Sequence, residues 1–360
     1  MRLPPSRIAR RALLLAGLGA ALDTRALPLK TLVFPRDYGS HPDFRTEWWY
    51  ITGHVKSAQR DFGFQVTFFR SRVDATQAMT SRFAAKQLIL AHAALTDVQG
   101  KKLWHDQRIA REGSGLASAD ISDTSVHIKD WSIKRGPAHY TASVAGTGFA
   151  LQLALTETQP LLLQGDNGLS RKGPDVEQAS YYYSKPQLSV AGSISLGGDP
   201  ARAQDQMPVR GTAWLDHEWS QALLHPDAVG WDWIGMNLFD GSALTAFQLR
   251  DKAGMALWDG GSFRTAGAQA YVYARGEVIF KRVRNWKSPL NQASYTVEWI
   301  VRTPADFYTI KAVIDNQELD SRASTGAIYW EGLSDLFDSN GKQVGRGYLE
   351  MTGYASPLRM

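Results

Sequence analysis

The densest group of reactive side chains in the sequence is Asp216-His217-Glu218-Trp219, two carboxyls around an imidazole with an indole behind them. A carboxylic acid kept protonated by burial, or an imidazolium, can deliver a proton in such a cluster. Spacing restricts how the groups cooperate. On a strand, successive side chains point to opposite faces, so Asp216 and Glu218 share one side and His217 and Trp219 the other. The three ionisable groups therefore cannot meet in one pocket without a bulge. A His between two acids near a domain junction can equally hold two units together by hydrogen bonds.

Other segments offer ligand contacts. Glu47-Trp48-Trp49-Tyr50 reads either as a core strand, with Trp49 inside it, or as a cavity floor whose Glu47 meets the polar end of a ligand. Tyr181-Tyr182-Tyr183 reads as a strand with one or two tyrosines inward, and Tyr183 is taken as a contact. Trp231 and Trp233 are candidates to wall the same cavity. The chain holds 12 Trp, 13 Tyr and 14 Phe. Such side chains crowd into β-rich cores and binding cavities.

Several chemistries are disfavoured. With no cysteine there is no thiolate nucleophile and no disulfide framework. Gly113-Ser114-Gly115 lacks the spacing of a nucleophile elbow, and His217-Glu218 is followed by Gln221 where a zincin helix needs its second His. The eight histidines are scattered singly, and His92 reads as a satisfied core residue on a strand face with Leu88 and Leu90. No phosphate loop or dinucleotide fingerprint is present, so neither a cofactor nor a metal is expected. The basic run 281–287 reads as a solvated hairpin.

Strands must position these groups. Phe62, Phe64, Val66 and Phe68 alternate on one face, as do Phe149, Leu151, Leu153 and Leu155, and Tyr295, Val297, Trp299 and Val301. Asn167-Gly168, Asp240-Gly241, Asp259-Gly260 and Asn340-Gly341 supply turn dipeptides. Two halves follow one plan. Trp48-Trp49-Tyr50 is echoed by Asp232-Trp233-Ile234, Tyr183-Ser184 by Tyr329-Trp330, and Arg210-Gly211 by Arg346-Gly347. The first half is longer, with long loops expected over 71–86 and 157–180. The expectation is an all-β chain of two antiparallel barrel or sandwich domains in tandem, 27–222 and 223–360, each able to close its edges around an apolar ligand.

Phe34-Pro35-Arg36-Asp37-Tyr38-Gly39, His41-Pro42, Glu47-Trp48-Trp49-Tyr50 and Trp214-Leu215-Asp216-His217-Glu218-Trp219 resemble the corresponding segments of the CrtC/AttH lipocalin-like family. The resemblance covers nearly the whole mature chain. It implies two lipocalin-like domains and a hydrophobic small-molecule ligand, an isoprenoid or lipid. It also implies one of three roles: a carotenoid 1,2-hydratase-like lyase, a non-catalytic carrier associated with an ABC transport system, or a secreted hydrolase. In the hydratase branch a His and a Trp two apart form part of the site, and His217 and Trp219 match that pattern. Hydrating an isolated alkene needs a proton on one carbon, a cation on the other and water to trap it. Asp216 and His217 would handle protons. Trp219, Trp231 and Trp233 would face the cation, each aromatic worth about 0.5–2 kcal/mol.

Residues 1–26 read as a signal peptide. Arg10-Arg11 before the uncharged run from Ala12 to Leu22 resembles a twin-arginine leader, and that run is too short to span a bilayer. A periplasmic or secreted protein with at most peripheral membrane contact is expected. This segment carries five of the 40 basic residues and one of the 35 acidic ones, so 35 basic against 34 acidic remain. The formal charge of +5 is then mostly an address, and no nucleic-acid partner is expected.

Overall fold

The computed structural model describes residues 26–197, 205–222 and 224–358. The expected leader, apart from Ala26, lies outside them. Two curled antiparallel sheets form two barrel-like units, and among the described residues no helix is long and apolar enough to cross a membrane. The fold class is therefore the tandem lipocalin-like all-β architecture.

In the first sheet, Thr46–Ser57 lies between Arg60–Arg72 and Met207–Ala222. Gln87–Asp97 and Lys102–Arg111 extend it on one side. On the other it continues through Ala179–Leu196, Phe149–Thr156, Tyr140–Gly146 and three shorter strands. The second sheet repeats this start. Gly230–Leu238 lies between Ala243–Arg250 and the last strand, Gln343–Met351, which pairs with Ala327–Phe337. The first sheet thus ends at Ala222 and the second opens at Gly230. A Cβ on Gly211 would lie 1.9 Å from the His54 carbonyl oxygen, and one on Gly347 2.0 Å from that of Gly235. Each last strand therefore needs a residue without a side chain at the matching crossing.

Alternation decides what faces inward. Trp49, Ile51, Phe64, Val66 and Leu215 pack inside the first barrel, and Ile234, Met236, Trp330 and Leu349 inside the second. This corrects the alignment of the two halves by one residue. Trp233 points outward, as Trp48 does, while Ile234 faces inward like Trp49, and Trp330 faces inward like Tyr183. A one-residue slip exchanges faces completely, and two adjacent aromatics give the pattern nothing to choose by. The segment 157–180 also differs from the expected loop. Leu162–Leu163 and Leu169–Arg171 are short strands paired to Ala179–Leu196. The basic run lies on the exposed strand Ile279–Lys287, hairpinned to Ser294–Arg302.

The outward faces meet each other. Tyr50, Trp214, Trp233, Phe247, Leu333 and Tyr348 form one buried cluster between the barrels. His92 is satisfied there by the second unit: its ring nitrogens lie 2.8 Å from the Tyr329 hydroxyl and 2.8 Å from Ser324 Oγ. Thr96 Oγ1 donates to Gln317 Oε1 at 3.0 Å, and Asn237 Nδ2 to the Ala213 carbonyl at 3.0 Å. Each such buried bond contributes about 0.5–1.5 kcal/mol net, and losing one partner costs more than that.

Candidate functional site

Met207–Ala222 carries the Asp216–Trp219 cluster, paired to Thr46–Ser57 with Tyr50 opposite Asp216 and Trp49 opposite His217. No register shift breaks that pairing, so the cluster divides as alternation requires. His217 and Trp219 enter the first barrel; Asp216 and Glu218 face the space between the barrels. The expected trio Asp216, His217 and Trp219 is not one group in space.

The inward half is organised by Glu47, which is fully buried. Its carboxylate accepts from Ser40 Oγ at 2.9 Å, the His41 backbone N–H at 2.9 Å, His41 Nδ1 at 2.8 Å and His217 Nε2 at 2.9 Å. Arg70 Nε donates to it at 2.8 Å, and the rest of that guanidinium bonds Gln87 Oε1 and the His41 carbonyl. Burial pushes Glu47 up, but bonds from His217 and His41 outweigh it and hold the carboxyl well below its ordinary range. Burial pushes His217 down to about 4, against the pull of Glu47. We take His217 as neutral, donating from Nε2 while Nδ1 accepts from the Tyr183 hydroxyl at 3.0 Å. His41 donates from its other nitrogen to Asp37 Oδ1 at 3.0 Å, so both of its ring nitrogens serve carboxylates.

Aromatic rings close this cluster. Trp219 stacks on His41 at 3.8 Å between centroids and Trp49 on His217 at 4.8 Å. The ligand atoms of His41, Glu47 and His217 lie within 4.8 Å of one another, as a metal site would need. Here they bond to one another and Arg70 takes the second carboxylate oxygen, so the group balances its own charge. The second barrel has a smaller version: Asp232 pairs with Arg250 at 2.7 Å and accepts from Gln248 Nε2 and the Tyr354 hydroxyl.

The outward half lines a cavity of about 90 Å³ between the barrels. Its walls are aromatic, including Trp48, Phe69, Tyr182, Trp231, Trp233 and Phe247. Four carboxyls face it, Asp216, Glu218, Glu331 and Glu350, with one cation, Lys172. Lys172 Nζ reaches Glu218 at 3.0 Å, and the Ser180 hydroxyl donates to the same carboxylate. Burial pushes Asp216 up to about 7 against bonds from Ser184 Oγ (2.5 Å), Trp214 Nε1 (2.7 Å) and the Tyr182 hydroxyl (2.9 Å), and the Glu218 charge adds to the rise. Burial also lifts Glu350 to about 7, although Trp231 Nε1 donates to it at 3.0 Å. Glu331, opposite Glu350 on the neighbouring strand, is pushed well above its usual range by burial and then by that neighbour. Its Oε1 and the Tyr50 hydroxyl lie near enough to influence each other, yet neither makes a hydrogen bond of good geometry among the described residues. Like charges in a poorly solvated space cannot all ionise, so this wall holds protons near neutral pH.

The model of the AttH-like family matches residues 25–354. The chain belongs to the AttH-like family. A crystal structure provisionally assigned as AttH, from Nitrosomonas europaea, is 45% identical with a TM-score of 0.84, over 91% of this chain and 99% of that one. Kievitone hydratase from Nectria haematococca has the same fold at 11% identity and a TM-score of 0.70, over 91% and 94% of the two chains. CghA is more distant, at 11% identity, a TM-score of 0.53 and coverage of 88% and 90%. Among curated proteins nothing matches.

The candidates read from this AttH-like sequence thus sort into two places. Glu47, Trp49, Tyr183, His217 and Trp219 belong to the barrel interior; Asp216, Glu218, Trp231 and Trp233 belong to the cleft. Sequence reasoning missed Tyr50, Tyr182, Lys172, Glu331 and Glu350. A usable signal existed for the two glutamates: each is an acid inside an apolar strand, in Tyr329-Trp330-Glu331 and Tyr348-Leu349-Glu350. Lys172 had no such signal, because its segment reads as a polar loop.

Proposed function

We propose that this AttH-like protein binds a hydrophobic, alkene-bearing small molecule in the cleft between its barrels and adds water across the double bond. One observation carries the reading: an aromatic cleft into which several acids project, Asp216 and Glu350 among them, with burial holding their protons to about pH 7. A carboxylic acid of this kind protonates one alkene carbon, the neighbouring carbon becomes a cation, and the aromatic faces stabilise it. Water then attacks the cation and returns its proton to the carboxylate, so atoms and charge balance. Glu331 Oε1 and the Tyr50 hydroxyl are available to orient that water. That a fold relative is a hydratase, kievitone hydratase, agrees with this reading. His217 and Trp219 shape the barrel from inside and touch no ligand.

A second reading keeps the ligand and drops the chemistry. Both oxygens of Asp216 already accept bonds from Trp214, Ser184 and Tyr182, which suits a structural acid in a carrier serving an ABC transport system. On either reading the leader-like residues 1–26 direct the protein to the periplasm or beyond. The test is incubation of purified protein with acyclic isoprenoid alkenes, following ligand-induced quenching of tryptophan fluorescence and gain of water by mass. Turnover that falls at least about tenfold in Asp216→Asn or Glu350→Gln supports the hydratase. Binding without turnover selects the carrier, and neither binding nor turnover rejects both.

A further inference from the structure

The cleft has an outer neighbour. A second cavity of about 210 Å³ is lined by residues of both sheets, among them Ser170, Arg171, Trp258, Tyr273 and Arg275. It shares two walls with the inner cleft, Tyr182 and Phe247. Lys172 Nζ sits against both of these rings, 4.9 Å and 4.3 Å from their centroids. The two spaces are therefore adjoining chambers with Tyr182 and Phe247 as their common wall.

The two chambers offer an anion different partners. The inner chamber holds four carboxyls and one lysine. The outer chamber presents two guanidiniums, Arg171 and Arg275, whose centres lie 5.8 Å and 4.8 Å from the Trp258 ring. Among the described residues their hydrogen bonds go to carbonyls, Gly173 and Pro174 for Arg171 and Leu257 for Arg275, and never to a carboxylate. The Nε of Arg171 is buried without a partner, which leaves a strong donor unspent. Two acids also border this chamber. Asp259 is occupied by the backbone N–H groups of Gly276 and Val278, and Asp166 is exposed and accepts from Asn167 Nδ2.

We propose that the ligand is an amphiphile with an anionic head, held by Arg171 and Arg275 over Trp258, whose apolar tail passes Tyr182 and Phe247 into the inner cleft. The inference rests on the cleft being the ligand site. The cations set the direction of entry: the outer guanidiniums attract an anionic head, whereas the inner cleft offers one cation, Lys172, already paired with Glu218, so the tail is the part that reaches Asp216 and Glu350. Carboxylate and phosphate heads share the geometry that a guanidinium fork recognises. The double bond acted on is then one near the far end of the tail.

Farnesol, farnesoic acid and farnesyl phosphate present one tail with a neutral head and two anionic ones. Their dissociation constants for the full protein are measured by tryptophan quenching near pH 8, with wild type and Arg171→Ala/Arg275→Ala. We expect at least one anionic form to bind roughly tenfold tighter than farnesol, a preference the double variant loses while farnesol affinity stays within about twofold. Which anionic form is preferred identifies the head. Exposed Arg275→Gln, which should lower the preference alone, serves if the double variant unfolds. Equal binding of all three by wild type, or a preference that survives in the variant, overturns the head site and leaves the cleft standing. No binding of any of the three overturns the cleft as well.

Discussion

The two faces of the strand Met207–Ala222 treat ionisable groups in opposite ways. On the inner face His217 joins a group in which Glu47 is matched by Arg70 and surrounded by donors, so burial is overcome and the carboxyl stays ionised. On the outer face Asp216 also accepts three bonds, but no cation pairs with it, other acids stand nearby, and burial wins. Two carboxyls on adjacent, paired strands thus differ in protonation because one lacks a matched counter-charge. A balanced buried group contributes to architecture; an unbalanced one can exchange protons with something that enters.

The comparison breaks first at Arg70. Replacing it with Met leaves Glu47 buried without its permanent cation, and stability should fall by about 3–5 kcal/mol in denaturant titrations at pH 7. A loss below about 1 kcal/mol would mean the inner charges are not tied together.

The pH dependence of stability should carry both signatures. Glu47 is depressed in the folded state, so its contribution is present above the ordinary carboxylate range and is lost on acidification. Asp216 and Glu350 are raised to about 7, so their contribution is full below about pH 4 and is lost as pH climbs through 7. In Asp216→Asn the stability difference from wild type should move in the variant's favour by on the order of 3 kcal/mol between pH 4 and pH 8. A difference flat with pH would place Asp216 with the balanced groups.

The smallest effect concerns one of the contacts between the two barrels. Tyr329→Phe removes the hydroxyl that meets His92 at 2.8 Å and Gln65 at 3.2 Å. It should cost about 1 kcal/mol in thermal or denaturant unfolding. An unchanged midpoint would show that this pair does not hold the units together.

Much of this comparison was legible in the sequence. The split of residues 216–219 follows from period-two alternation, and the all-β architecture from repeated apolar faces and turn dipeptides. Trp233 was less readable, because either of two neighbouring side chains could have faced inward in each half. Most partners of Glu47 were not readable either: His41 is only six residues away, but Arg70 and His217 come from segments that only the register of three strands brings beside it. Glu331 and Glu350 were hidden for the same reason, since each is an isolated acid until Ala327–Phe337 and Gln343–Met351 pair.

The central claim is that chemistry belongs to the outer face of this strand, and a paired assay tests it most directly. Hydration of an acyclic isoprenoid alkene is measured near pH 7 for wild type, Asp216→Asn and His217→Gln, with folding checked by circular dichroism. The account predicts an active wild type, a loss of at least about tenfold in kcat for Asp216→Asn, and a folded His217→Gln within about threefold of wild type. The reverse pattern, with His217→Gln folded but inactive and Asp216→Asn unimpaired, would contradict it.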